Sequence, residues 1–195
     1  MAIFRSSTRT VSRYAFLAFA VLLLDGASLP VWASSKALGA PAPRSLSPCP
    51  DAETLMASPQ LAEQLWTDRL SYEALCLYAA SNVLAASDAA KAIDLYVLAR
   101  VRSQYDFMRC EAWPHGPASS ASAAMRMSAE AGLAAAGIKT ILPQLLAVAQ
   151  SEAAYDYTFE SLEQMCDGGS LKPASAWKTE QLKMQAAAAP KSPTP

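Results

Sequence analysis

Residues 58–110 read SPQLAEQLWTDRLSYEALCLYAASNVLAASDAAKAIDLYVLARVRSQYDFMRC, and after Pro59 no glycine or proline appears before Pro114. Ser58 followed by Pro59 is a helix start. The serine oxygen can accept an orphan N–H, and proline's missing N–H costs nothing at the first helical position. Leu61, Leu65, Trp66 and Leu70, then Tyr72, Cys76, Ala79, Ala80, Val83 and Leu84, recur at helical spacing. Ser71 offers a second start, so one bent helix and two shorter ones fit equally well. Ala86-Ser87-Asp88 predicts a turn, with Ser87 as the cap of a second helix ending near Cys110. The stretch therefore reads as a helical hairpin.

Apolar residues run most of the way round the second helix, which predicts the most buried helix of the fold. Arg100 and Gln104 interrupt the face made by Ile93, Tyr96, Val97 and Phe107. Arg102 and Asp106 lie four apart and read as a surface ion pair, worth about 0.3 kcal/mol.

Towards the C-terminus, Trp113-Pro114-His115-Gly116-Pro117 is a loop. A helix rich in Ala, Ser and Met is predicted over 119–136, ending at Gly137, and its small residues permit close approach of a neighbour. A further helix is expected over 141–167, stopped by Gly168-Gly169. Its seam is Ile141, Leu145, Val148, Tyr155, Phe159, Leu162 and Cys166, with Glu152 as a charged intruder. Beyond Pro173 the expectation is a short, weak helix over 177–185 and a flexible tail. The fold class is all-α, a bundle of four or five antiparallel helices joined by short connections.

At the N-terminus, Arg5, Arg9 and Arg13 precede an uninterrupted apolar run from Tyr14 to Leu24, and Val31-Trp32-Ala33 supplies a cleavage site. This is the pattern of a secretory signal peptide. The run is too short to span a hydrocarbon core, which takes about 20 residues. The expected layout is a signal peptide over 1–33, an extended arm over 34–57, a helical domain over 58–170 and a weakly structured tail over 171–195. Loss of residues 1–33 removes three Arg and one Asp and leaves the chain more acidic than its full-length net charge of −1. An acidic chain without a Lys/Arg run excludes nucleic acid as the expected partner, and no stable membrane anchor is expected after cleavage.

Cys49, Cys76, Cys110 and Cys166 are an even set in an exported chain, which favours disulfides over metal binding. No CxxC is present, and His115 is the single histidine, so neither a metal nor a cofactor is expected. In a simple bundle Cys49, Cys110 and Cys166 fall at one end and Cys76 about halfway along, so a bridge among the first three is the easier one. A helix break near Ser71 would change that.

The run from Asn82 to Tyr96 resembles the helix-turn-helix of tetratricopeptide or Sel1-type repeats. It covers about a tenth of the chain, and no second copy follows at a fixed period. The resemblance implies an αα-hairpin.

No catalytic signature is present. His115 near Ser119, Ser120 and Ser122 lacks both a GxSxG elbow and a positioned acid. Two groups of residues remain as candidates. Asp156, Glu160 and Glu163, with Glu152, form an acidic ridge on the helix expected over 141–167. Either this ridge or the Trp113 loop would serve as a docking face for another protein. Arg100 and Glu152 are charges on apolar seams and read as a polar core pair or as the wall of a pocket. The first group predicts a non-enzymatic, exported protein-binding module, of which an immunity or inhibitor protein is one version. The second predicts a small-ligand-binding protein or an enzyme.

Overall fold

The computed structural model describes residues 43–158 and 162–190 of the 195-residue chain. The expected signal peptide and residues 34–42 of the expected arm lie outside them. The remainder of the arm is fastened to the domain. Strand β1 (Arg44–Ser45) pairs in parallel with β2 (Tyr157–Thr158), Arg44 opposite Tyr157 and Ser45 opposite Thr158. Leu46 is buried, and the Ser47 N–H donates to the Ser71 carbonyl at 2.7 Å. Residues 52–57 form helix α1 (Ala52–Ala57), with Asp51 accepting the Thr54 N–H.

Ser58 and Pro59 start helix α2 (Pro59–Thr67) as expected, the Ser58 hydroxyl accepting from the Leu61 N–H. The chain then breaks. A 3-10 turn over Arg69–Ser71 and extended backbone at Tyr72 separate α2 from α3 (Ala74–Leu84). The break leaves backbone carbonyls without helical partners. Arg102, from the far side of the hairpin, donates to those of Leu70 and Tyr72. Helix α4 (Ala89–Met108) follows the predicted turn, but its cap is Asp88, not Ser87. The Asp88 carboxylate accepts from the Lys91 N–H, and the Ser87 hydroxyl turns back to the Leu84 carbonyl. Helix α4 packs on α3 and on the three helices that follow it in the chain and is the centre of the molecule, as its apolar girth predicted.

Helix α5 (Pro117–Ala135) matches the predicted small-residue helix. It ends in a left-handed Gly137 (φ +81°), with the Ile138 N–H reaching back to the Leu133 carbonyl. Gly132 allows the close approach to α3: a Cβ there would lie 2.7 Å from Asn82 Oδ1 and 3.2 Å from the Ala85 Cβ.

The helix expected over 141–167 does not form as one element. Helix α6 (Leu142–Gln150) is followed by a 3-10 turn (Glu152–Ala154), strand β2 and a second 3-10 turn (Leu162–Cys166). Tyr155 and Tyr157 give the physical reason. Two apart on a helix they would point about 200° away from each other. Here both are buried, which the chain achieves by leaving the helix: the Tyr157 N–H donates to the Tyr155 carbonyl at 3.0 Å in a tight turn, and β2 begins there. The tail expected beyond residue 171 contains helix α7 (Ala174–Ala188), packed against α4 and α6. Trp177 donates to the Lys172 carbonyl at 2.9 Å, and the Glu180 carboxylate takes both Lys172 and Lys183.

Among the described residues the fold is thus an all-α helical bundle. No helix of the described residues is long and apolar enough to cross a membrane. The stretch that resembles a repeat unit is one αα-hairpin, α3 with α4. Disulfides join Cys49 to Cys76 and Cys110 to Cys166, so no cysteine is free. The second is the same-end pairing expected of a bundle. The first follows from the break: with α3 beginning at Ala74, Cys76 lies in its first turn, and Cys49 comes two residues after Ser47, which is bonded to the break at Ser71.

Candidate functional site

Helix α4 carries arginines at 100, 102 and 109. Residues 102 and 109 are two turns apart and share a face, whereas Arg100 points about 200° away from Arg102. On the first face Arg102 and Arg109 are 0% exposed and Asp106 1% exposed. Asp106 pairs with Arg109 and accepts the Tyr157 hydroxyl at 2.6 Å. The Arg109 guanidinium lies over the rings of Tyr105, Tyr157 and Trp177, and that of Arg102 lies over Tyr157. Burial pushes the Tyr157 phenol far up, and the Asp106 carboxylate adds to it. Burial also lowers Arg102 from its ordinary value. Sequence reading placed Arg102 and Asp106 on the surface. They are instead the inner members of a charged knot that joins α4 to the α2–α3 break, to β2 and to α7. An i,i+4 Arg/Asp pair is the same on paper whether wet or dry. The available signal was Arg109, which with Arg102 puts two cations on one stripe of an otherwise apolar helix.

The opposite face is open. Arg100, Ser103, Gln104 and Phe107 of α4 face Ser119, Ser122 and Arg126 of α5 across a cleft of about 420 Å³, and the loop residues Trp113 and His115 close one end. No carboxylate lines it. Arg126 is held by Glu130 at 3.0 Å, and Glu130 also accepts from the Tyr96 hydroxyl. Among the described residues Arg100 is in no ion pair. Beneath the cleft floor the Tyr78 hydroxyl is fully buried beside Ser103 and Arg100. Burial pushes this phenol up to about 12, against the lowering pull of Arg100 and Arg126 beside it.

The loop wall is firmly placed. Trp113, 49% exposed, packs edge-on against Phe107. The Asp167 carboxylate accepts the N–H groups of Gly116, Ala118 and Ser119 at 2.7, 2.8 and 3.4 Å. Although desolvation opposes it, these bonds hold the Asp167 carboxyl below its ordinary value. The start of α5 is therefore already occupied by an anion of the chain itself. Asp167 adopts φ +51° one residue after Cys166, so the Cys110–Cys166 bridge fixes both the loop and its cap.

Of the residues singled out from sequence, the structure brings Arg100, Trp113, His115, Ser119, Ser120 and Ser122 to one cleft. It does not bring Arg100 and Glu152 together: Glu152 is exposed and pairs with Lys178 at 3.1 Å. Tyr155 is not a pocket wall either, and its hydroxyl donates to the Ala149 carbonyl inside the core. Asp156 and Glu163 are both exposed but stand on separate short elements, not on one helical ridge, and Glu160 lies outside the described residues. Two of the three serine hydroxyls of this group are engaged elsewhere. Ser119 donates to the Gly116 carbonyl and Ser122 shares a hydrogen bond with Ser103. Among the described residues no cluster of His, Cys, Asp and Glu could hold a metal ion. Compared with protein-family models, with curated proteins and with solved structures, the chain matches none.

Proposed function

We propose that the protein is an exported, non-enzymatic binding protein whose ligand is a small anion held in the Arg100–Arg126 cleft. The observation that carries this reading is a half-buried Arg100 with no ion pair among the described residues, in a cleft with a second arginine and no carboxylate. A partly desolvated guanidinium is costly unless it is paired, and a carboxylate or phosphate is the partner its planar fork fits best. Tyr78 and the cleft serines and Gln104 add neutral hydrogen-bonding groups at or beneath the floor. The commitment of Ser119 and Ser122 to other partners favours binding over hydrolysis. Pairing of all four cysteines suits an oxidising compartment, in keeping with the signal-like N-terminus.

The acidic docking face has less to rest on, since it assumed one helix through Asp156 and Glu163. The decisive experiment is a thermal-shift series with phosphate, sulfate, acetate and citrate at constant ionic strength. A ligand at 100 times its Kd should stabilise the fold by about 2.7 kcal/mol. The expected result is stabilisation by at least one of these anions that disappears in Arg100→Gln and weakens in Arg126→Gln. Equal shifts in all three proteins, or none in any, would overturn the proposal.

A further inference from the structure

We infer that the ligand is a single-chain anionic amphiphile, with its head in the Arg100–Arg126 cleft and its alkyl chain in an apolar groove that begins at the same arginine; this rests on the binding function proposed above. The groove runs between α4, α6 and α7 with a volume of about 360 Å³. Val101, Met108, Leu145, Leu146 and Met184 form its walls, and Arg100 and Gln104 line both it and the polar cleft. The second cation at its rim, Lys183, is already taken by both carboxylate oxygens of Glu180 at 3.1 Å. Arg100 is therefore the charge at the junction that lacks an ion-pair partner among the described residues.

Each half of the site is incomplete without the other. A purely apolar guest in the groove would desolvate Arg100 without neutralising it. A small polar anion would satisfy Arg100 but leave Leu146 and Met184 facing water, with Leu146 36% and Leu142 56% exposed on the same helix. An anionic head joined to an alkyl chain meets both demands from one point of attachment. The volume is that of a small-molecule pocket. It is too small for a partner helix, whose diameter with side chains is about 10 Å.

The test is calorimetric titration of the delipidated protein with straight-chain carboxylates from butanoate to dodecanoate, each below its critical micelle concentration, with inorganic phosphate as the head-only probe. The expected result is affinity rising about twofold per added methylene, half the fully buried increment because the groove is open on one side. Arg100→Gln should weaken every chain length at least tenfold. Leu146→Gln, a change at an exposed position that spares the fold, should flatten the chain-length slope while leaving butanoate and phosphate unchanged. Binding of phosphate and butanoate with no dependence on chain length would overturn the amphiphile and leave the anion site standing. Binding of a nonionic dodecyl maltoside as tightly as dodecanoate, in wild type and Arg100→Gln alike, would overturn the coupling of head to tail. Binding only to anionic phospholipid vesicles, with no monomer binding, would also overturn it. Failure of every anion, short or long, would remove the underlying site as well.

Discussion

The two faces of α4 place arginines two residues apart in opposite circumstances. Arg102 is fully buried, and its guanidinium is spent on the carbonyls of Leu70 and Tyr72 and on the ring of Tyr157. Arg100 is half-buried, lines both an apolar groove and a polar cleft, and has no carboxylate partner among the described residues. The buried cation spends both terminal nitrogens on carbonyls of the chain itself, only its Nε lacking a partner, and holds three segments in place, so its role ends with the fold. The half-buried one has no carboxylate to pair with among the described residues, and a partly desolvated charge of that kind is where an anionic ligand has something to gain. Burial and charge alone would have ranked the two arginines the other way round; hydrogen-bond accounting separates them.

That contrast predicts effects of very different size. The largest belongs to Asp106. Asp106→Ala strips the carboxylate from Arg109 and the acceptor from Tyr157 in a dry site, and removing one partner of a buried pair costs about 3–5 kcal/mol. Urea denaturation should show the midpoint falling with the slope unchanged; a variant as stable as wild type would mean the knot is not a staple. Tyr157→Phe is milder. It keeps the ring under both guanidinium groups but removes the hydroxyl donor to Asp106, at a cost of about 1–3 kcal/mol for a buried partner left unmade. A double-mutant cycle of the two should show strong coupling, since both changes act on one hydrogen bond.

Next in size on stability is Arg100→Gln, expected to stay within about 0.5 kcal/mol of wild type as an ordinary surface change does. It is also the change that should abolish anion binding. A stability loss comparable to that of Asp106→Ala would place Arg100 in the structural class and erase the distinction between the two faces.

Much of the hairpin could be read from sequence because local rules decided it. Ser58-Pro59 starts a helix, Ala86–Asp88 turns the chain, and the girth of 89–108 puts that helix in the middle. Helix α5 was legible for the same reason, bounded by Pro117 and Gly137. The segment after Gln150 was not, because its spacing of apolar residues suits a helix while burying both Tyr155 and Tyr157 needs a turn that leaves it. Tertiary demand overrode local pattern there, and the supposed acidic ridge went with it. The Cys49–Cys76 bridge depended on the break near Ser71, which Arg102 stabilises from a distance no local window sees. Arg100 and Trp113 were visible as a misplaced charge and an exposed aromatic. Arg126 was hidden among small residues as one more surface charge, and Tyr78 as one more core ring.

The smallest effect concerns Glu73, at the start of α3 on the edge of the knot. Burial raises its pKa, and repulsion from Asp106 raises it further, whereas a position at a helix N-terminus would by itself favour the charged form. A raised pKa means the folded state holds its proton more tightly than the unfolded chain. Between the unfolded value near 4.3 and the folded value, stability therefore falls as pH rises, and above the folded value the full cost is present. Glu73→Gln removes the ionised carboxylate, so the variant should melt slightly higher than wild type at pH 7. The gain should shrink as pH drops and vanish below about pH 4, where Glu73 is protonated in both states. The comparison of interest is the difference between the two melting curves across pH, since other carboxylates titrate alike in both proteins. A variant less stable than wild type at pH 7 would show that the helix dipole outweighs burial and Asp106.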